Sequence, residues 1–336
     1  MLQLLVIGVG AGVVTALLFA SVASGALLSI FLFYLAPLPI MIAALGWSSL
    51  AGLIGAVTAA AGLAFTFGTF FFFSFLVIVG LPAWWLCRLA LLSRPADVPA
   101  VAGPQAMAPA APADLEWYPV GRLVLWAAIL ASAVVAAAIL YAASTTDDFH
   151  TGLRSAFERV LRLQSGTPAG SPLVMRGVSN PDLLLDVMVV MVPLLAAVLT
   201  TVTHLFNLWL AGRVVSVSGR LRRPWPDLPM LTLPKQTPLF LAGAIALTFL
   251  PGVLGTVAMV FAAALLMAFA ILGLAVLHAI TRGVGSRYFM LAGIYGALFV
   301  FTWPAIPLAL FGLAEAAFNI RDRFPNARHG PPATPT

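Results

Sequence analysis

The chain has 336 residues, of which 62% are hydrophobic and 8% are charged, and its formal net charge is +6. This composition excludes an ordinary soluble domain, in which about a quarter of the residues carry a charge. The single cysteine, Cys87, excludes an internal disulfide. The sequence leaves no room for a basic soluble domain, so we expect no nucleic-acid partner.

The N-terminal part of the sequence predicts four membrane spans, because no charged residue precedes Arg88 and a span needs about 20 apolar residues. We predict an all-α, polytopic transmembrane bundle, since helices satisfy their own backbone groups in lipid. No lysine or arginine precedes the first apolar run, which favours a retained membrane helix over a signal peptide. The four spans are predicted at Leu2–Val22, Ala26–Leu45, Leu50–Phe67 and Phe70–Leu92.

A segment rich in proline and alanine, residues 93–117, follows the fourth span. This composition is typical of a flexible, partly extended linker outside the membrane. We predict that it separates an N-terminal four-helix membrane module, residues 1–92, from a C-terminal membrane module, residues 118–324. The last residues, 325–336, are predicted to be disordered.

The C-terminal module contains a polar loop, residues 145–180, between the fifth and sixth spans. Its sequence FHTGLRSAFERVLRLQ alternates apolar and basic residues at helical spacing, which predicts an amphipathic helix. The loop ends in Asn180, Pro181 and Asp182, which are typical of the first turn of a helix.

Five further spans bring the predicted number to nine, within limits of eight to ten. They are predicted at Val120–Ala143, Leu183–Ala211, Leu239–Val257, Val260–Thr281 and Phe289–Leu310. The sequence also allows the last segment to be a short hairpin, because Trp303-Pro304 and Pro307 interrupt it. The basic residues of the loops after spans four, six and eight fall on one side of the membrane together with the N-terminus, which the positive-inside rule makes cytoplasmic.

Small residues recur at every fourth position of the first span, at Gly8, Gly12, Ala16 and Ala20. These positions form one smooth ridge along a helix. Such ridges allow close helix packing in lipid. We interpret the ridge as a packing face for other helices of this chain, or as a docking face for a second membrane protein.

Three polar residues are predicted to lie within spans. His204 and Asn207 are three positions apart in the sixth span, and His278 lies near the end of the eighth. Polar groups at membrane depth face the bundle interior, a cavity or one another. They form a candidate intramembrane polar site, either an interhelical hydrogen bond or a site for substrate or protons.

The loop after the sixth span is basic. Its side chains Arg220, Arg222 and Arg223 are candidate contacts for anionic lipid or a partner. We find no catalytic motif and no cluster of metal ligands in the sequence, so we expect a protein that is not an enzyme and holds no cofactor or metal.

The pairing of APLPIMIAALGWSSLAGLIGAVTAA with GLAEAAFNIRDRF near the C-terminus resembles the YybS family of bacterial inner-membrane proteins. This resemblance implies a multi-pass protein of the bacterial inner membrane. More distantly, the second and third spans resemble a superfamily that contains the S components of energy-coupling-factor transporters and the morphogenesis protein MreD. In S components, a small-residue face of helix one docks onto a coupling subunit, and the matching residues here are Ala16 and Ala20.

Two functions follow from these observations. The first is a transporter-like membrane component that binds or passes a small molecule at His204, Asn207 and His278, with a partner supplying the energy. The alternative is a cell-envelope scaffold similar to MreD, which would hold partners or lipid through its basic loop. The sequence alone does not separate the two.

Overall fold

The computed structural model describes residues 1–95, 115–145, 149–168, 170–173, 177–301 and 303–324. Within these ranges the chain forms thirteen α-helices and one short two-stranded sheet. The predicted all-α class is therefore confirmed. Most of the predicted linker and the predicted disordered tail, residues 325–336, lie outside the described residues.

Six helices form the N-terminal part of the chain. In order, they are α1 (Leu2–Ala20), α2 (Leu27–Tyr34), α3 (Pro37–Gly46), α4 (Ser49–Phe67), α5 (Thr69–Phe75) and α6 (Leu81–Ala90). The second predicted span is divided into α2 and α3 because Pro37 and Pro39 cannot donate backbone hydrogen bonds. A π-helical turn, Leu76–Gly80, joins α5 to α6.

The two ends of the predicted linker pair as strands. Strand β1 (Ser93–Pro95) lies antiparallel to β2 (Leu115–Trp117), with Arg94 opposite Glu116. These two side chains form an exposed salt bridge of 2.7 Å. The two ends of the linker therefore lie next to each other, beside the end of α6.

Seven helices follow the sheet. They are α7 (Val120–Thr145), α8 (Phe149–Ser165), α9 (Pro181–Val217), α10 (Thr237–Leu247), α11 (Val253–Ile280), α12 (Arg287–Val300) and α13 (Ala305–Phe318). The amphipathic helix predicted in the polar loop is α8. Helix α9 begins as predicted, because the Asn180 side chain accepts a hydrogen bond from the backbone N–H of Leu183 at 3.1 Å.

Two predicted spans differ from the structure at proline residues. The seventh ends at Leu247 rather than Val257, since Pro251 lacks an N–H and Gly252, at φ 73°, starts the next helix. The ninth is divided into α12 and α13, which is the interruption that Trp303-Pro304 allowed. Proline disfavours the helical conformation of the residue before it, so the helix cannot continue through this dipeptide.

Seven helical segments of the described chain are long and apolar enough to cross a membrane. They are Leu2–Ser24, Leu27–Gly46, Ser49–Phe67, Thr69–Ala90, Val120–Ala143, Pro181–Val217 and Val253–Ile280. The three shorter apolar helices are α10, α12 and α13. These lengths and compositions indicate a multi-pass integral membrane protein.

The helices cluster into two compact units. The first unit comprises Met1–Ala127 and Thr203–Leu233, and the second comprises Ala128–Val202 and Pro234–Thr336. Helices α7 and α9 each contribute residues to both units. The N-terminal helices thus share a unit with a segment that follows them much later in the chain.

The first unit is built on close packing of α1 against α4. A Cβ atom added to Gly8 would lie 2.8 Å from the carbonyl oxygen of Ala51, and one added to Gly12 would lie 2.6 Å from that of Gly55. Both distances are too short for any side chain, so glycine is required at this crossing. Further along the same face, a Cβ atom added to Gly62 would lie 3.7 Å from the Ala16 side chain.

The second unit contains a still closer crossing, of α11 and α13. A Cβ atom on Gly273 would overlap the carbonyl oxygen of Leu308, and one on Gly312 would overlap that of Phe269. One turn beyond Gly312, the Glu315 carboxylate is buried against Arg321 in the turn that follows α13. This pair fixes the end of α13.

Candidate functional site

Asn207 lies in the first unit, where it joins two distant segments. Its side chain is fully buried, and its Nδ2 atom donates hydrogen bonds to the carbonyl oxygens of Tyr34 and Thr203, each at 2.8 Å. Tyr34 ends α2, so α9 is bonded to the α2–α3 junction. Among the described residues, the Oδ1 atom of Asn207 has no hydrogen-bond partner.

The proline residues explain why Tyr34 needs this bond. In a continuous helix, the Tyr34 carbonyl would accept from the N–H of Leu38, but that N–H bonds to Leu35 instead. The residue one position earlier is Pro37, which has no N–H to offer. The Asn207 amide supplies the missing donor.

The other two residues of the predicted polar site are placed differently. His204 is buried one turn before Asn207 on the same helix face. His278 belongs to the second unit, where its Nε2 atom lies 2.9 Å from the Tyr295 hydroxyl. The structure thus brings His204 and Asn207 together within one unit, and gives His278 a separate partner.

Replacement of Asn207 by leucine should destabilise the first unit, because it removes the hydrogen bond that joins α9 to the Tyr34 carbonyl. We expect the free energy of unfolding to fall by about 1–2 kcal/mol, measured by SDS titration of the purified protein in mixed micelles. Thr201→Val is the matched control, since the buried Thr201 hydroxyl bonds only to Ala197 within its own helix. Equal losses in the two variants would contradict the interhelical role of Asn207.

The basic loop packs against the ends of helices in the first unit. Arg222 donates to the carbonyl oxygen of Trp47 at 3.3 Å, beyond the end of α3. Arg223 donates to the carbonyl oxygens of Ala90, the last residue of α6, at 3.1 Å, and of Tyr118 at 3.4 Å. The C-terminal ends of helices carry unpaired carbonyl groups and partial negative charge, which arginine compensates.

Most arginines of this unit also lie over aromatic rings. Arg220 lies 4.6 Å from the centre of the Trp47 ring, and Arg213 lies 5.0 Å from that of Trp225. We call this region the arginine–tryptophan end. It comprises Arg88, Arg122, Arg213, Arg220, Arg222 and Arg223 with Trp47, Trp84, Trp117, Tyr118 and Trp225.

The arginine–tryptophan end contains buried hydrogen-bond donors that lack acceptors. Within the described part of the chain, the Nε atom of Arg223 and the indole nitrogens of Trp47 and Trp117 are buried without an acceptor. Burial also lowers the pKa of the Arg223 guanidinium. Arginine nevertheless stays protonated in proteins, so its positive charge is retained there.

A cavity of about 270 Å³ lies between α8 and α9 in the second unit. Its lining residues are His150, Thr151, Arg154, Asp186, Val189 and Val190. The Arg154 guanidinium bonds to Asp186 through Nη1 and to Asp182 through Nη2, the latter at 2.7 Å. A positive and a negative group therefore face the same small space, above a wall of two valines.

The sequence predicted α8 and the start of α9, which line this cavity, but it did not predict the cavity itself. Asp182 and Asp186 are four residues apart and therefore share a helix face, and Arg154 is one of several arginines in α8. Nothing in the sequence indicates which arginine those carboxylates bind. His150 and Thr151 carried no signal of their own.

Searches against protein-family models, curated proteins and solved structures found no match. In the described ranges, no group of three or more His, Cys, Asp or Glu side chains is placed to hold a metal ion.

Proposed function

We propose that this multi-pass membrane protein is a transporter-like component of the bacterial inner membrane that binds a small polar molecule and catalyses no reaction. The cavity between α8 and α9 carries the proposal. Its volume of about 270 Å³ is close to the lower end of the range for small-molecule sites, about 300–1,000 Å³. Small-molecule sites typically combine an apolar wall with a small number of polar groups that point towards the ligand.

The lining groups define what the cavity could bind. Arg154 offers donors to an anionic group, while Asp186 offers an acceptor to a cationic one. A solute with both kinds of group would exchange bonds with this ion pair at little electrostatic cost. We therefore favour a small zwitterionic or polyfunctional polar solute over an apolar one.

The proposal places the N-terminus in the cytoplasm, as the loop arginines predict. The sequence encodes no nucleotide-binding motif, so a partner or an ion gradient would supply the energy. Gly8, Gly12 and Ala16 lie against α4, so a partner on helix α1 would contact the opposite side. That side exposes Val6, Val13 and Leu17.

Asp186→Asn should abolish solute binding while the fold is retained. We would screen amino acids, polyamines and small hydroxy acids against the protein in lipid nanodiscs, and follow its thermal unfolding. A solute that binds the cavity should raise the midpoint by several degrees in the wild type and not in Asp186→Asn. Asp182→Asn is the matched control, because Asp182 also bonds to Arg154 but does not line the cavity.

Two outcomes would count against a solute site. In the first, no solute shifts the wild-type midpoint. In the second, Asp186→Asn responds like the wild type. The scaffold alternative, similar to MreD, would then be tested by photocrosslinking from Val13 in native membranes. Recovery of cell-wall or division proteins would support that alternative.

A further inference from the structure

We propose that the arginine–tryptophan end of the first unit binds the phosphate headgroups of anionic lipids. The residues of this end come from separate helix termini, namely the end of α6, the start of α7 and the end of α9. The hydrogen bonds of Arg222 and Arg223 connect them to the α3–α4 turn. They therefore form one surface of this unit.

This surface carries more positive than negative charge. The two segments of the first unit contain seven arginines and four acidic residues. In the part that the structure describes, Arg94 pairs with Glu116, while Arg213, Arg220 and Arg222 form no ion pair. Among the described residues, no carboxylate pairs with these three arginines, which leaves them available to an anionic ligand.

The geometry of the arginines suits phosphate. Arg213 and Arg220 lie with their guanidinium groups over indole rings and are exposed to the surroundings. Stacking uses the face of the guanidinium and leaves its in-plane N–H groups free. These N–H groups form the fork that binds two phosphate oxygens at once.

The depth of these residues favours lipid over a soluble acidic protein. Arg213 lies in the last two turns of α9, next to exposed Val214 and one turn before Val217, which is 82% exposed. From the exposed valines beside this arginine, we infer that the end of α9 lies where the hydrocarbon meets the headgroups. Tryptophan is enriched at the same boundary, and basic pockets between helices there bind lipid headgroups.

The test is lipid binding to the purified full chain in detergent, followed by native mass spectrometry. Phosphatidylglycerol should bind the wild type at least tenfold more tightly than phosphatidylcholine. The double variant Arg220→Gln/Arg222→Gln should bind phosphatidylglycerol roughly 30-fold more weakly, the loss expected for two basic groups at an anionic surface. Arg159→Gln, an exposed arginine of α8 in the second unit, is the charge-matched control and should bind normally.

A second variant separates binding from folding. Arg222 holds a backbone carbonyl, so its loss could unfold the protein, whereas Arg213→Gln removes no hydrogen bond that the structure shows within the chain. Arg213→Gln should still weaken phosphatidylglycerol binding by several-fold. The proposal would be overturned by equal affinity for the two lipids, or by unchanged binding to both variants. Displacement of the lipid by millimolar inorganic phosphate would indicate a free-anion site, and tighter binding of polyglutamate would indicate an acidic protein partner.

Discussion

Replacing Gly312 by valine should prevent stable folding of the second unit. The added Cβ would occupy the position of the Phe269 carbonyl oxygen, and neither backbone can yield without separating α13 from α11. The reciprocal contact of Gly273 with Leu308 would be lost at the same time. We expect a loss of about 3 kcal/mol or more, above the usual cost of overpacking, because the obstacle is backbone.

The matched control for this crossing is Gly296→Val in α12. No atom lies within 4 Å of a Cβ atom at Gly296, so the same substitution there adds a side chain without a collision. Fluorescence-detected size exclusion after heating should show a monodisperse peak for Gly296→Val and aggregation for Gly312→Val. Similar profiles for the two variants would mean that the α11–α13 crossing is looser than described.

Glu315→Gln should destabilise the same unit by a different route. One Glu315 oxygen accepts from the Arg321 Nε atom at 2.7 Å, and the other accepts from the Arg321 backbone N–H at 3.0 Å. Both side chains are at most 10% exposed. Because glutamine removes the negative charge that faces this buried guanidinium, we expect a loss of about 3–5 kcal/mol, measured by SDS titration.

An exposed ion pair of the same length provides the control. Arg94 and Glu116 also approach to 2.7 Å, but their side chains are 70% and 50% exposed. Water screens such a pair, so Glu116→Gln should cost about 1 kcal/mol or less. If Glu315→Gln cost no more than Glu116→Gln, the buried pair would not be what fixes the end of α13.

The sequence predicted those features of the fold that depend on residues close together in the chain. The cap at Asn180 was confirmed, since a side chain that bonds three residues ahead depends on nothing distant. The interruption at Trp303-Pro304 also follows from two adjacent residues. The seventh span was predicted too long because hydropathy does not register the chain reversal at Gly252.

Pairings between distant residues could not be predicted. Asn207 was identified as a polar residue at membrane depth, but its partner, the Tyr34 carbonyl, is 173 positions away. The arginines of the basic loop were assigned to lipid or partner contacts. Two of them, Arg222 and Arg223, also bond to helix ends of their own chain, which sequence composition cannot show.

The two partners of each of these long-range hydrogen bonds are synthesised at different times. Helices α2, α3 and α6 leave the ribosome well before the segment that contains Asn207, Arg222 and Arg223. At about 5–20 residues per second, the Tyr34 carbonyl is made roughly 10–35 s before Asn207. During that interval the Tyr34 carbonyl lacks the donor that Asn207 provides in the folded chain. We therefore expect the early helices to be held by the insertion machinery until α9 arrives, and a chain that stops before residue 203 to be degraded.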